Sequence, residues 1–114
     1  RIVLISDSMR ATGMPDGVYT LGGLDVQVKG NRATLVSDGA LAGSVTNLMD
    51  CMRTAVKKMD ISLESAVKCA TINPARCLGI DKEYGSITAG KYADLVLLDQ
   101  ELNIKQIIKK GALL

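Results

Sequence analysis

The stretch Ile2-Val3-Leu4-Ile5-Ser6-Asp7-Ser8-Met9 decides how the rest of the chain is read. Four apolar residues, three of them β-branched, run straight into an aspartate. Such a run predicts a strand buried on both faces, as in a parallel sheet. It places the Asp7 carboxylate at the strand's C-terminal end. In barrels of alternating strand and helix, catalytic groups are presented at that end. Two readings of Asp7 therefore stand side by side. One is a turn or helix-cap residue, the commoner role of an aspartate after a strand. The other is a catalytic carboxylate.

A strand covered on both faces needs neighbours on each side. The 114 residues suffice for one small domain but supply few candidates for those neighbours. The chain also opens on Arg1 without an initiator Met, so it reads as a piece of something longer. Its charge says little about partners: the net +2 is small, and the only basic pairs are Lys57-Lys58 and Lys109-Lys110. With no basic stripe and only three Tyr for base stacking, nucleic acid is not an expected partner. No apolar run approaches the roughly 20 residues needed to span a bilayer, so no membrane partner is expected either. Cys51, Cys69 and Cys77 are odd in number, lack ligand-type spacing and follow no visible signal peptide. They read as reduced thiols of a cytoplasmic protein, with Cys69 and Cys77 in buried packing. Histidine is absent. The chain alone therefore offers no Ser-His pair, no Cys-His pair and no His-based metal site.

After Asp7, residues 8–17 contain Gly13, Pro15 and Asp16-Gly17 and read as a loop. Val18–Leu21 and Leu24–Val28 read as strands, with a bend or bulge at Gly22-Gly23. Gly30-Asn31 is a hairpin turn and Arg32–Val36 the returning strand. Val26 and Val28 alternate with Gln27 and Lys29, which suits a half-exposed ribbon. A second small-residue loop, 37–44, precedes a helix whose apolar positions are Val45, Leu48, Met49, Met52, Ala55, Val56 and Met59, with Ser44 as N-cap. Ser62 caps the next helix, with Glu64 in its first turn and Leu63, Ala66, Val67 and Ala70 on its buried face. Asn73-Pro74 opens a short helix that Gly79 ends. The last third reads as a short strand and turn over 85–91, a buried strand over 93–99 and an exposed one from Ile104 to a turn at Gly111.

Three segments together then resemble one family. The ending Gly85-x-Ile87-x-x-Gly90-Lys91-x-Ala93-Asp94-Leu95-Val96-x-Leu98-Asp99 is similar to the C-terminal strands of the amidohydrolase superfamily, and Ala70-Thr71-x-Asn73-Pro74-Ala75-x-x-Leu78-Gly79 to the helix leading into them. Leu4-Ile5-Ser6-Asp7-Ser8-Met9 with Gly13, the β-ribbon, and Asp38-Gly39-x-Leu41-Ala42-Gly43-Ser44 resemble the N-acetylglucosamine-6-phosphate deacetylase family within it. Ser8 departs from the Ala of the family's Ser-Asp-Ala or Thr-Asp-Ala pattern.

The resemblance implies an α/β fold: the C-terminal part of a (β/α)8 metal-dependent hydrolase barrel plus strands of a small β-sandwich. Residues 1–80 would hold the last barrel strand, the ribbon and the C-terminal helices, and 81–114 the sandwich strands. It implies deacetylation of N-acetylglucosamine 6-phosphate to glucosamine 6-phosphate and acetate, an activity of amino-sugar metabolism. Asp7 would be general base and acid on a water activated by a divalent metal, zinc or iron. The metal ligands would lie on earlier barrel strands absent from this chain. Leu41, Ala42 and Gly43 would lie against the sugar, where small residues let the backbone approach; a plain helix entry is the other reading of Gly43. Asp94 would be structural, Arg76 would pair among the helices, and Arg10 is a solvated loop residue or one that reaches a ligand. The expected partners are the amino-sugar phosphate, the N-terminal barrel portion and a second copy in a homo-oligomer. Two alternatives remain: another amidohydrolase, such as a cyclic-amide hydrolase or nucleobase deaminase, or an inactive structural module as isolated.

Overall fold

The computed structural model describes residues 2–114. Their elements, in order, are β1 (Gly17–Leu21), β2 (Leu24–Lys29), β3 (Arg32–Leu35), α1 (Leu48–Lys58), α2 (Leu63–Ala70), α3 (Ile72–Leu78), β4 (Leu95–Leu98), β5 (Ile104–Lys109) and β6 (Ala112–Leu113). The strands form two three-stranded antiparallel sheets, β1-β2-β3 and β4-β5-β6. The chain divides into two compact units. One is Ile5–Cys51, and the other combines residues 2–4 with Met52–Leu114; α1 runs through the boundary in sequence.

In the Ile5–Cys51 unit, the alternation read from the sequence becomes the core. Val26 and Val28 are fully buried on one face of β2, and Gln27 and Lys29 are exposed on the other. Met9, Ala11, Ala33 and Ala42 complete the cluster, with Tyr19, Leu35 and Val45 packed against it. Burying a valine side chain this completely contributes about 1.5–3 kcal/mol. The Tyr19 hydroxyl donates to the Pro15 carbonyl at 2.7 Å, which satisfies the polar end of a ring whose body packs on the core. Gly22-Gly23 is not a bulge. Leu21 pairs with Leu24, and both glycines have positive φ (58° and 84°), so the pair is a two-residue hairpin turn of the kind that matches strand twist. The Gly30-Asn31 turn is as expected, with Lys29 paired to Arg32.

The opening run is where structure and expectation part. Residues 2–7 form no strand; Ile2 and Ile5 are 66% and 73% exposed. The long-range bonds of this run's backbone are scattered: the Leu4 N–H donates to the Cys69 carbonyl at 2.9 Å, the Ile2 carbonyl accepts from the Asn73 side chain, and the Asp7 carbonyl accepts from the Ser44 N–H. A ladder needs successive partners on a flanking strand, and the described residues offer none alongside.

Helix α1 starts three residues later than Val45. Ser44 is not its cap, because the Ser44 Oγ is engaged by Thr46, accepting its N–H at 3.0 Å. Asn47 does the capping: its Oδ1 accepts the Asp50 N–H at 2.9 Å. Ser62 caps α2 as expected, accepting from the Ser65 N–H. Of the expected apolar face of α2, only Ala66 is buried, while Leu63 and Val67 are exposed. Gly79 ends α3 in the left-handed conformation. Asn73 is not its cap; it lies inside the helix and its Nδ2 donates to the Ile2 carbonyl at 2.7 Å.

Residues 85–91 are turns and bends, not a strand. There the Lys91 Nζ donates to the Asp81 and Tyr84 carbonyls, and Tyr84 stacks on Tyr92 at 5.1 Å between centroids. Strand β4 is shorter than 93–99 and half-covered, with Val96 and Leu97 exposed. Strand β5 and the turn at Lys110-Gly111 match the reading.

Candidate functional site

Asp7 does not close a strand; it lies in irregular backbone just before Ser8. Its φ is +51°, in the left-handed region that non-glycine residues seldom enter and that Asp tolerates better than most. Strained backbone of this kind clusters at functional sites because the surrounding structure must hold it there. Here the holding group is the loop before α1. The Ser44 N–H donates to the Asp7 carbonyl at 3.0 Å, and the Met9 N–H donates back to the Ser44 carbonyl at 2.8 Å. Ser8 and Ser44 thus sit side by side in a parallel bridge. The Asp7 side chain is exposed.

The loop itself is fixed from β3. The Leu35 N–H donates to the Ala40 carbonyl at 2.8 Å, and the Ala42 N–H donates to the Ala33 carbonyl at 3.1 Å. The Asp38 carboxylate accepts the Ala40 N–H at 2.9 Å and shapes the turn. These contacts separate the three residues expected to meet a sugar. Leu41 is 70% exposed, whereas the Ala42 side chain is in the core and can offer a ligand only its backbone. Gly43 has φ +63°, and a Cβ placed on it would stand 3.4 Å from the Asp7 carbonyl oxygen. Its freedom to take this left-handed conformation without strain is what suits it to the approach to Asp7. Asp7 and Gly43, 36 positions apart in sequence, are therefore brought together.

Sequence reasoning did not single out the hydroxyl links around this junction. The Ser8 Oγ donates to the Thr46 carbonyl at 2.5 Å. The Thr12 Oγ1 donates to the Met9 carbonyl at 2.8 Å and lies 3.4 Å from the Ser44 carbonyl. Arg10 is turned to β1, where its Nε donates to the Thr20 carbonyl at 2.9 Å.

The other residues singled out lie in the second unit. Asp94 is structural: it accepts from the Lys109 Nζ at 2.8 Å and the Lys110 N–H at 2.7 Å, and these donors, Lys109 foremost, hold its carboxyl below the usual range. Arg76 borders a cleft with Val3, Asn73 and Cys77. Cys69 is half-buried, but Cys77 is exposed rather than packed, because α3 turns that side away from its buried Ala75. No three His, Cys, Asp or Glu side chains among the described residues could hold a metal ion together, and the sequence has no histidine. The donor set of the described residues does not fit a divalent-metal site.

Residues 25–114 match the model of the amidohydrolase family. The chain belongs to that family. It is 43% identical over 113 residues to an N-acetylgalactosamine-6-phosphate deacetylase of Escherichia coli O157:H7, covering 99% of this chain and 30% of that protein. It is 40% identical, again over 113 residues, to an N-acetylglucosamine-6-phosphate deacetylase of Vibrio furnissii, covering 99% of this chain and 28% of that protein. Among solved structures it is similar to an aspartate-to-alanine variant of the Mycobacterium smegmatis N-acetyl-D-glucosamine-6-phosphate deacetylase in complex with N-acetyl-D-glucosamine 6-phosphate. That match has a TM-score of 0.88 and 38% identity, over 99% of this chain and 30% of the other. The chain thus spans under a third of these relatives, although it spans 67% of a shorter relative from E. coli K12.

Proposed function

We propose that this chain is the C-terminal part of an amino-sugar-phosphate deacetylase, with Asp7 as its general base and acid. The reaction is hydrolysis of the N-acetyl amide of a hexosamine 6-phosphate. Water oxygen bonds to the acetyl carbon, the C–N bond breaks, and acetate and the free amine leave. The Asp7 carboxylate takes a proton from the attacking water and delivers it to the departing nitrogen, so that it ends as it began. The Leu41–Gly43 backbone lies against the sugar. The divalent metal, zinc or iron, that such chemistry calls for would be held by residues on barrel strands outside this chain.

The observation that supports this reading most is the junction of Asp7 with Gly43-Ser44. An exposed aspartate with left-handed backbone is fastened, by two backbone hydrogen bonds of Ser44, to a loop of small residues. In the proposed parent, residues 1–80 complete the barrel and 81–114 the sandwich, and the protein is a cytoplasmic homo-oligomer. Among the described residues, no helix is long and apolar enough to cross a membrane.

The sugar's configuration at C4 has two readings. The resemblance of the motifs favours the glucosamine form. The 43% identity to a galactosamine-directed relative, against 40% for a glucosamine-directed one, favours the galactosamine form. Acetate release by the longer protein from both N-acetylhexosamine 6-phosphates, with a cyclic amide as control, tests the proposal. Turnover of either sugar supports the deacetylase and picks the epimer. Turnover of the cyclic amide alone overturns it.

A further inference from the structure

We infer that Ser8 is a positioning residue for Asp7, an inference that rests on the proposed role of Asp7. Three facts about one ring of contacts carry it. First, the peptide that follows Asp7 is held by a side chain as well as by backbone: the Ser8 Oγ donates to the Thr46 carbonyl at 2.5 Å. Second, Thr46 is itself anchored. Its N–H and Oγ1 are both engaged by the Ser44 Oγ, at 3.0 and 2.7 Å. Third, Ser44 is the residue whose N–H holds the Asp7 carbonyl. The contacts therefore close a loop, Asp7 to Ser8 to Thr46 to Ser44 and back to Asp7. Next in sequence after Thr46 is Asn47, which caps α1, so the ring is tied to the start of a helix.

The geometry shows what the Ser8 hydroxyl adds in this chain, at a position where the family pattern has Ala. A left-handed aspartate can relax into an ordinary conformation by a backbone rotation at Asp7 that swings Ser8 and redirects the carboxylate. The two bonds that Ser44 makes resist that rotation at the Asp7 carbonyl and the Met9 N–H. The Ser8 hydroxyl resists it at the residue between them. A backbone held at three successive residues keeps the Cα–Cβ bond of Asp7 in one direction, and so limits where its carboxylate can reach, which proton transfer to and from a fixed site requires. Ser8 does not touch the reacting atoms in this account; it acts through the direction of Asp7.

The test compares Ser8→Ala and Ser8→Thr with the unsubstituted longer protein, following kcat, KM and backbone amide exchange at Met9 and Ser44. The expected result for Ser8→Ala is a kcat about three- to tenfold lower, KM unchanged within about twofold, and faster exchange at both amides, in line with the losses that small misplacements of reacting groups cause. Ser8→Thr, which keeps the hydroxyl, restores kcat and protection. An active unsubstituted enzyme whose Ser8→Ala variant keeps kcat, or loses only KM, overturns the inference while leaving the deacetylase reading in place. Absence of turnover by the unsubstituted enzyme overturns that reading, and with it the inference.

Discussion

The backbone N–H of Ser44 meets the carbonyl oxygen of Asp7 at 3.0 Å. This one bond joins an aspartate near the start of the chain to the loop that leads into α1. The residue before Ser44 suits it: Gly43 sits at φ +63°, a conformation that glycine takes without strain.

Gly43→Ala should therefore destabilise the Ile5–Cys51 unit. A side chain in the left-handed region costs about 1–2 kcal/mol. In the proposed enzyme, turnover should fall too, because strain at Gly43 loads the Ser44 bond that holds the proposed proton carrier. Thermal melting and acetate release on the same variant check both.

The core of the ribbon gives a paired prediction. Val26→Ala removes buried methyl groups from the Met9–Ala42 cluster and should cost about 2 kcal/mol. Val18→Ala, on the exposed side of β1 and 58% accessible, should stay within about 0.5 kcal/mol. Urea unfolding of the two variants distinguishes them.

Acid should weaken the unit that holds β4 and β5 through Asp99. The Asn103 backbone N–H, with the Asn103 side chain and Lys105, holds the Asp99 carboxyl down to about 2, against its ordinary 3.8. A depressed carboxyl contributes stability that is full above its ordinary range and is lost as pH falls through the lowered value. The melting temperature should fall between about pH 4 and pH 2, and Asp99→Asn should flatten that part of the profile. Asp94 and Glu64, both held below their usual range by lysine partners, add in the same direction. A profile identical in Asp99→Asn and the unsubstituted chain would contradict this.

How much of this could be read from the sequence depended on how local each cause was. The ribbon was legible because Val26 and Val28 alternate with polar neighbours and a two-residue turn fixes the register. Ser62 was legible as a cap because its partner, Ser65, is three residues away. The run Ile2–Ile5 misled because apolar composition specifies what a segment would bury, not whether a partner strand is beside it. Ser44 misled for a different reason. Its hydroxyl had a nearer claimant in Thr46, and Asn47 stood one turn closer to the helix. The stretch 85–91 has strand-like residues, but Lys91 reaches back to the Asp81 and Tyr84 carbonyls and folds it into turns.

The site divides in the same way. Asp7 and Gly43 could be named from motifs, one after an apolar run and one in a small-residue loop. Their contact could not, since it joins residues 36 positions apart, and the Ser8–Thr46 bond spans 38. The left-handed conformation of Asp7 was not legible at all, because no local signal distinguishes an aspartate that caps a turn from one held in strain.

The central claim is that the Asp7 carboxylate carries the proton in amide hydrolysis. Asp7→Asn in the longer protein tests it most directly, because the amide keeps the size but cannot accept the proton. The account predicts a fall in kcat of roughly 10²–10⁴-fold with fold and bound metal content unchanged. Unimpaired acetate release by that variant would contradict it.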